Sequence, residues 1–312
     1  MRNITLLFSK LRLLYPIYWP AWIALGLLWI FAQFGSRVKM WVGESLGKLL
    51  FLIPTQMKQT TKINLALCFP ELSANERRAL LKKNFASLGI ALIESAMAWW
   101  LPDQRLKNLY KVKGDEHLQA ALKKGKGVIL IAPHFTCLEL IGRLMGNDYT
   151  FGVMYRVHKK YFVKTLHALF RKKHYTTYIP SHSVRKLLQA LGDNLPIWYA
   201  YDIDAGNNRN SVFAPFFNID TATLTTVSRI VKLTDAVVLP MNYFRLENDF
   251  QYEVVISPPL ENFPGINVSE DAARINAILE DAIRKHPEQY VWQYKRFKTR
   301  PDGQKRFYFS NR

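Results

Sequence analysis

Hydrophobic and polar positions divide the chain into three regimes. From Leu13 to Ser36 no charged residue occurs, and within that stretch IYWPAWIALGLLWIFAQF sets Trp19, Trp22 and Trp29 among aliphatic side chains. A run of about 20 apolar residues with aromatics toward both ends matches the hydrocarbon thickness of a bilayer. It predicts an N-terminal hydrophobic membrane-anchor helix within residues 1–40. The run is too long for a leader and no small-residue cleavage site follows it, which favours an anchor that stays attached. Pro16 and Pro20 also permit a helix that lies in the interface instead of crossing. Arg2, Lys10 and Arg12 precede the run and Arg37, Lys39 and Lys48 follow it, so flanking charge fixes no orientation.

The second regime has helical spacing. SANERRALLKKNFASLGIALIESAMAWW opens with Ser73 and Glu76 in capping-box spacing and predicts one long helix over residues 73–100. The third alternates: GVILIAP, FGVMYR, TTYIP, PIWYAY, AVVLPMNYF and YEVVISPPL read as strands, with helical stretches near 135–147, 159–173, 183–192 and 221–234. Such alternation predicts an α/β fold with a largely parallel central sheet flanked by helices, one domain over residues 41–312. Only RLENDF separates the last two strands, which predicts a hairpin at the sheet edge, followed by a helix near 269–286 and a basic C-terminal tail. The glycines of KKGKG precede the first strand, so they do not form a strand-loop-helix phosphate cradle.

Charge narrows the partners. Lys and Arg total 43 against 24 Asp and Glu, a formal +19, which favours anions: nucleic acid, acidic headgroups, phosphorylated sugars or acidic carrier proteins. Between Tyr149 and Gly192 there is no acidic residue, but nine Lys or Arg and four His. The two cysteines, Cys68 and Cys137, are far apart and suggest neither a disulfide framework nor a zinc knuckle.

The first strand runs into APHFTCLEL, which sets His134 five residues before Glu139. In a continuous helix that spacing separates side chains by roughly 140°. They meet when His134 sits in the turn closing the strand and Glu139 in the first turns of the next helix. The carboxyl end of a parallel strand is also where open α/β sheets bind ligands. There a neutral imidazole takes a proton from a hydroxyl, and a carboxylate on its other nitrogen fixes the tautomer. No G-x-S-x-G elbow occurs, and Cys137 reads as a small packed residue, so the pair suits activation of a substrate hydroxyl rather than a covalent enzyme intermediate. The spacing alone is weak, because an ordinary strand end meets it by chance.

Its context resembles a known family. His134-x-x-x-x-Glu139 after an apolar strand is similar to the H-x-x-x-x-D/E motif of the lysophospholipid acyltransferase superfamily. HFTCLEL with GRLMG, GVMYRVHKK with Arg156, WYAYDIDAG with Asp202 and Asp204, VFAPFF, VVLPMNYFR and PEQYVWQYKRFKTRPDG follow in order over residues 127–303. Together they resemble the late acyltransferases of bacterial lipid A biosynthesis, the lauroyl and myristoyl transferases. Two positions depart: Tyr201 stands where a proline is expected and Ala205 where an aromatic is common.

The resemblance implies transfer of a fatty acyl group from an acyl carrier protein to a hydroxyl of an acylated, phosphorylated glucosamine disaccharide, the lipid A precursor. His134 is then the general base and Glu139 its orienting partner. Arg156, Asp202, Asp204, Arg296, Lys298 and Arg300 are the expected substrate-binding residues, Arg156 for phosphate or oxyanion charge. Arg171, Lys172 and Lys173 are candidates for docking the carrier protein, and Lys295 joins the C-terminal cations that would meet acceptor phosphates. His158 is placed to line the site. No metal or other cofactor is implied, and the expected location is the cell inner membrane, with a single-pass anchor and the catalytic domain on the cytoplasmic side. Two other readings stay open: an acyltransferase of the superfamily acting on a lysophospholipid or glycolipid, and a non-catalytic membrane-anchored anion-binding protein. No nucleic-acid recognition motif accompanies the basic charge.

Overall fold

The computed structural model describes residues 15–155, 165, 170, 177–181, 183–247 and 250–308. A 3-10 turn over Pro16–Tyr18 leads into helix α1, Trp19–Ala32, whose 14 residues span roughly 21 Å at 1.5 Å per residue. A bilayer core is about 30 Å thick, and no helix among the described residues is long and apolar enough to cross a membrane. The expected single-pass span therefore does not form within them. The helix stops where Arg105 donates to the carbonyl and side-chain oxygens of Gln33 at 2.8 and 2.9 Å. The chain turns at Gly35 into α2, Ser36–Leu52, which carries Arg37, Lys39, Glu44 and Lys48.

Helices α2, α3 (Gln56–Cys68) and α4 (Ala74–Trp100) form a layer over the sheet. Helix α4 has the predicted bounds and capping box: the Glu76 N–H reaches Ser73 Oγ at 3.3 Å and the Ser73 N–H reaches Glu76 Oε2 at 2.7 Å. It crosses α2 at glycines, because a Cβ on Gly89 would overlap the backbone of Gly43 and Gly47. Phe51 of α2 packs edge-on against Phe85 of α4 beside this contact, with ring centroids 5.8 Å apart, while other bulky residues of α1 and α2 face outward. Ile23, Trp29, Trp41 and Leu52 are all exposed, Leu52 by 72%, which sets several large apolar side chains outward on two consecutive helices.

Beyond α5 (Asp103–Leu106) come β1 (Tyr110–Lys113), α6 (Asp115–Lys123), β2 (Val128–Ala132), α7 (Leu138–Asp148), β3 (Gly152–Tyr155) and β4 (Thr177–Pro180). They are followed by α8 (Val184–Gly192), β5 (Pro196–Ala200), β6 (Ser211–Phe216), β7 (Ile219–Leu224), α9 (Thr226–Thr234), β8 (Val237–Arg245), β9 (Tyr252–Ile256) and α10 (Val268–Lys285). Seven strands form one sheet in the order β1-β9-β8-β2-β5-β3-β4, with β6 and β7 in a separate hairpin. Every neighbouring pair in the large sheet is parallel except β8 with β9. The largely parallel sheet flanked by helices agrees with the alternating pattern. All five residues of β2 are buried, as a strand covered on both faces requires.

Three expectations need correction. The β8–β9 hairpin is not the edge, since β1 pairs with β9; YKVK is too short and too charged to read as a strand. The stretch from 221 begins in β7, and α9 starts only at Thr226, because the β-branched run IDTATL pairs with β6. The helix expected from 135 starts at Leu138, after the turn that carries the histidine. The helix expected near 159–173 lies outside the described residues, apart from Thr165 and Phe170, both helical.

Candidate active site

Strands β2 and β5 lie side by side, and their parallel register pairs Ala132 with Ala200. The chain runs two residues beyond the end of each strand, to His134 and to Asp202, so both side chains arrive together at the carboxyl edge of the sheet. His134 Nδ1 is 2.6 Å from Asp202 Oδ1, and Asp202 Oδ2 accepts the His134 backbone N–H at 2.9 Å. One carboxylate thus holds both the ring and the main chain of the histidine.

The surrounding turn is fixed from two sides. Tyr243 of β8 donates its hydroxyl to the Pro133 carbonyl at 2.6 Å and accepts the Phe135 N–H at 3.2 Å. Opposite, the segment after α10 passes the site: the Val291 N–H donates to the His134 carbonyl at 2.9 Å and the Thr136 N–H to the Gln289 carbonyl at 2.8 Å. Tyr294 meets the imidazole edge-on, with centroids 5.4 Å apart. Asn64 of α3 donates to the carbonyls of Trp292 and Tyr294 at 2.7 and 2.8 Å. Asn84 of α4 does the same for Glu288 and Tyr290 at 2.9 and 2.8 Å. The helical layer therefore suspends the C-terminal segment beside the histidine.

The Asp202 side chain is fully buried and that of His134 is 18% exposed. Burial disfavours the imidazolium, yet the Asp202 carboxylate more than offsets it, and the His134 pKa lies above its ordinary value. Burial likewise opposes ionisation of Asp202, but His134 and the Tyr290 hydroxyl hold its carboxyl below the usual carboxylate range. With Nδ1 donating to Asp202, Nε2 is the nitrogen left to accept a proton.

Glu139 sits in the first turn of α7, where the spacing placed it. Its Oε1 accepts the indole N–H of Trp99 at 2.9 Å. The carboxylate on Nδ1 is that of Asp202, so the orienting position expected for Glu139 is occupied by a residue expected to bind substrate. The cause is register: alignment of β2 with β5 delivers Asp202 directly beside the ring. The Trp99 ring stacks on Phe170 with centroids 4.9 Å apart and packs edge-on against Trp100. Cys137 is buried, and burial pushes its thiol well above the ordinary range, which suits a packed, unreactive residue.

The other expected residues separate. Asp204 accepts from the Gly206 N–H at 3.0 Å and from the N–H and hydroxyl of Thr299 at 3.2 and 3.1 Å, which pins the C-terminal segment. Arg296 is only 2% exposed. Its guanidinium donates to the carbonyls of Ile203 and Ala222 at 2.8 and 2.7 Å and to Thr223 Oγ1 at 3.1 Å. It joins three segments inside the protein, so the expected acceptor contact is corrected to a structural one. Lys298 and Arg300 line an open cavity beside the turn at Gly303, and that cavity does not include His134. Arg156, His158, Arg171, Lys172 and Lys173 lie outside the described residues. Among the described residues no group of three or more His, Cys, Asp or Glu is assembled to hold a metal ion.

Beneath the turn lies a network that the sequence reading missed. Glu94 of α4 accepts from Arg245 Nη1 at 2.6 Å and from the Tyr252 hydroxyl at 2.8 Å. Arg245 Nη2 donates to Ser87 Oγ at 3.1 Å, and Ser87 Oγ is 2.7 Å from Thr136 Oγ1. Gln289 completes it by accepting the Arg245 N–H and donating to the Arg245 carbonyl at 2.9 and 2.8 Å. The signal was Glu94 itself, a lone acid in the apolar run IALIESAMAWW.

A sequence model of the family described as bacterial lipid A biosynthesis acyltransferase matches residues 8–299. The chain belongs to this family. Among curated relatives of this lipid A acyltransferase, the lipid A biosynthesis palmitoleoyltransferase of Escherichia coli (strain K12) is 34% identical over 302 residues, covering 96% of this chain and 98% of the relative. The lipid A biosynthesis lauroyltransferase of the same strain is 34% identical over 292 residues, covering 93% and 95%. A lipid A biosynthesis acyltransferase of Haemophilus influenzae is 32% identical over 306 residues, covering 97% of each. The chain is thus an acyltransferase enzyme of lipid A biosynthesis, and the histidine turn lies inside the matched region.

Proposed function

We propose that the enzyme moves a fatty acyl group from an acyl carrier protein thioester to a hydroxyl of an acylated, phosphorylated glucosamine disaccharide, with His134 as general base. The observation that carries this reading is the 2.6 Å hydrogen bond from His134 Nδ1 to Asp202. It leaves Nε2 as the basic nitrogen of a side chain that keeps 18% of its surface open. The acceptor hydroxyl gives its proton to Nε2 as its oxygen attacks the thioester carbonyl. Collapse of the tetrahedral intermediate expels the carrier's thiolate, which takes that proton back from the imidazolium. Asp202 holds the tautomer and stabilises the cation that forms between the two steps. Glu139 is the second acid of the site and acts on its wall by anchoring Trp99.

The seat of the reaction is the cytoplasmic face of the cell inner membrane. The support is the apolar surface of α1 and α2, with Ile23, Trp29 and Trp41 turned outward, in the manner of a helix lying in a bilayer interface. The carrier protein is acidic in this reading and meets the basic charge between Tyr149 and Gly192.

The test is purified protein in detergent with acyl carrier protein thioester and a tetra-acylated or penta-acylated lipid A precursor, followed by mass spectrometry. The expected product is the precursor plus one acyl chain. An unchanged acceptor in the presence of folded protein overturns the reaction, and full activity in His134→Ala overturns the assigned base.

A further inference from the structure

The cavity beside the C-terminal turn encloses about 570 Å³ and is lined by Lys295, Lys298, Arg300 and Arg306, with Asp302 as the only acidic residue among those lining it. Four cations face one carboxylate, and their mutual repulsion has a cost unless a negative charge enters. Two of the four have partners already: Arg300 donates to the Asp220 carbonyl and to Gln304, and Lys295 Nζ lies 5.8 Å from the centre of the Tyr308 ring. Lys298 and Arg306 are exposed, and among the described residues neither takes part in an ion pair. The volume fits a small-molecule headgroup. A donor set made of ammonium and guanidinium groups fits phosphate oxygens.

The cavity is also within reach of the reaction centre. Tyr294 packs on the His134 ring, and Lys298 lies four residues further along the same segment, at most about 14 Å of extended chain. An acceptor hydroxyl at Nε2 and its headgroup in the cavity are then joined by a span of a few sugar and acyl bonds.

We propose that this cavity receives the phosphate groups of the acyl acceptor, a phosphorylated glycolipid, with Lys298 and Arg306 as the charges that bind them. The proposal rests on the acyl-transfer reading, and it replaces Arg296 in the expected set with Arg306. Recognition of the acceptor by its phosphates is separate from the chemistry at His134.

The test is equilibrium binding to the full chain in neutral detergent, with no acyl donor present. The probes are a bisphosphorylated acylated glucosamine disaccharide and its dephosphorylated counterpart, measured by calorimetry. The native chain should prefer the phosphorylated form by at least about tenfold. K298Q/R306Q should remove most of that preference, while the charge-preserving K298R/R306K should retain it. In turnover, K298Q/R306Q should raise KM for the phosphorylated acceptor more than it lowers kcat. Phosphatidylglycerol and inorganic pyrophosphate, added separately as competitors, should each displace the acceptor only weakly. The proposal is overturned if the native chain binds both forms equally, if K298Q/R306Q keeps the preference, or if phosphatidylglycerol competes as well as the acceptor itself. A chain that shows the phosphate preference but transfers no acyl group would overturn the reaction and leave the cavity assignment standing.

Discussion

His134 and Asp202 each stand two residues beyond a registered pair, Ala132 and Ala200, on neighbouring parallel strands, and their 2.6 Å hydrogen bond follows from that register. The geometry of the proposed catalytic pair is therefore a property of the sheet as much as of the motif. Replacing the Asp202 carboxylate tests this most directly. Asp202→Asn should lower kcat by roughly 10²-fold to 10⁴-fold, with the acid limb of the rate profile moved to lower pH. Glu139→Gln should also lose activity but leave that limb in place, because Glu139 bears on Trp99 and Asp202 on the ring. The opposite pattern, a limb moved by Glu139→Gln alone, would return the orienting role to Glu139.

The native pH profile has a sign that follows from the same pair. A base whose pKa lies above the ordinary histidine value of about 6.5 becomes active only above that shifted pH. The acid limb of kcat/KM should accordingly titrate above about 6.5. Stability runs the other way. The contribution of the raised His134 is complete below the unfolded pKa and is lost as pH rises through the folded one. The contribution of the lowered Asp202 is present above the ordinary carboxylate pKa and is lost as pH falls through its folded value. Denaturant melts and rates measured on one sample across pH 6 to 9 should show activity rising while the pair's share of stability declines.

The buried pair of Glu94 and Arg245 has side chains only 1% and 8% exposed. Glu94→Gln should destabilise the chain by ~3–5 kcal/mol, since it leaves a buried guanidinium without its charge partner. The double change Glu94→Gln with Arg245→Met should cost less than the sum of the single changes. Strict additivity in urea melts would show that the two side chains are not coupled.

Gly89→Ala should disturb the α2–α4 crossing, because the added methyl meets backbone rather than a flexible side chain. The expected loss is roughly 1–3 kcal/mol or more. Gly26→Ala, which meets nothing within 4 Å, is the matched control and should be neutral or slightly stabilising.

The proposed membrane seating has its own readout. Exchanging Ile23, Trp29 and Trp41 for Ser removes apolar groups that face outward and contribute little to the core. Flotation with anionic vesicles should fall by tenfold or more, on the order of 1.4 kcal/mol, while the thermal melt of the body changes little. Unchanged flotation would mean that this face does not meet lipid.

The sequence made some of this architecture readable and hid the rest for identifiable reasons. The run GVILI and the proline after it located β2 and the turn of His134 without help. Asp202 was visible at the end of PIWYAY, but its partner was not. β5 joins β2 after two strands that lie on its far side in the sheet, and that order is not written in local periodicity. The β6–β7 hairpin was missed because Pro215 argues against a strand and the turn relies on positive φ at Phe217 and Asn218, where only the asparagine is a usual choice. Arg296 carries a charge that suggests surface; its burial depends on the carbonyls of Ile203 and Ala222, which only the fold brings to it.

The glycine crossing has a consequence for handling the enzyme. Most helix pairs are glued by the large apolar side chains between them, the same groups that surfactants compete for. Here α2 meets α4 through Gly43, Gly47 and Gly89, while Trp41 and Leu49 face outward. A surfactant that coats the outer face meets backbone packed on backbone at these glycines, with the Phe51–Phe85 ring pair held on the inner side. Extraction should therefore strip away whatever covers α1 and α2 and leave intact the helical layer that suspends the segment beside His134.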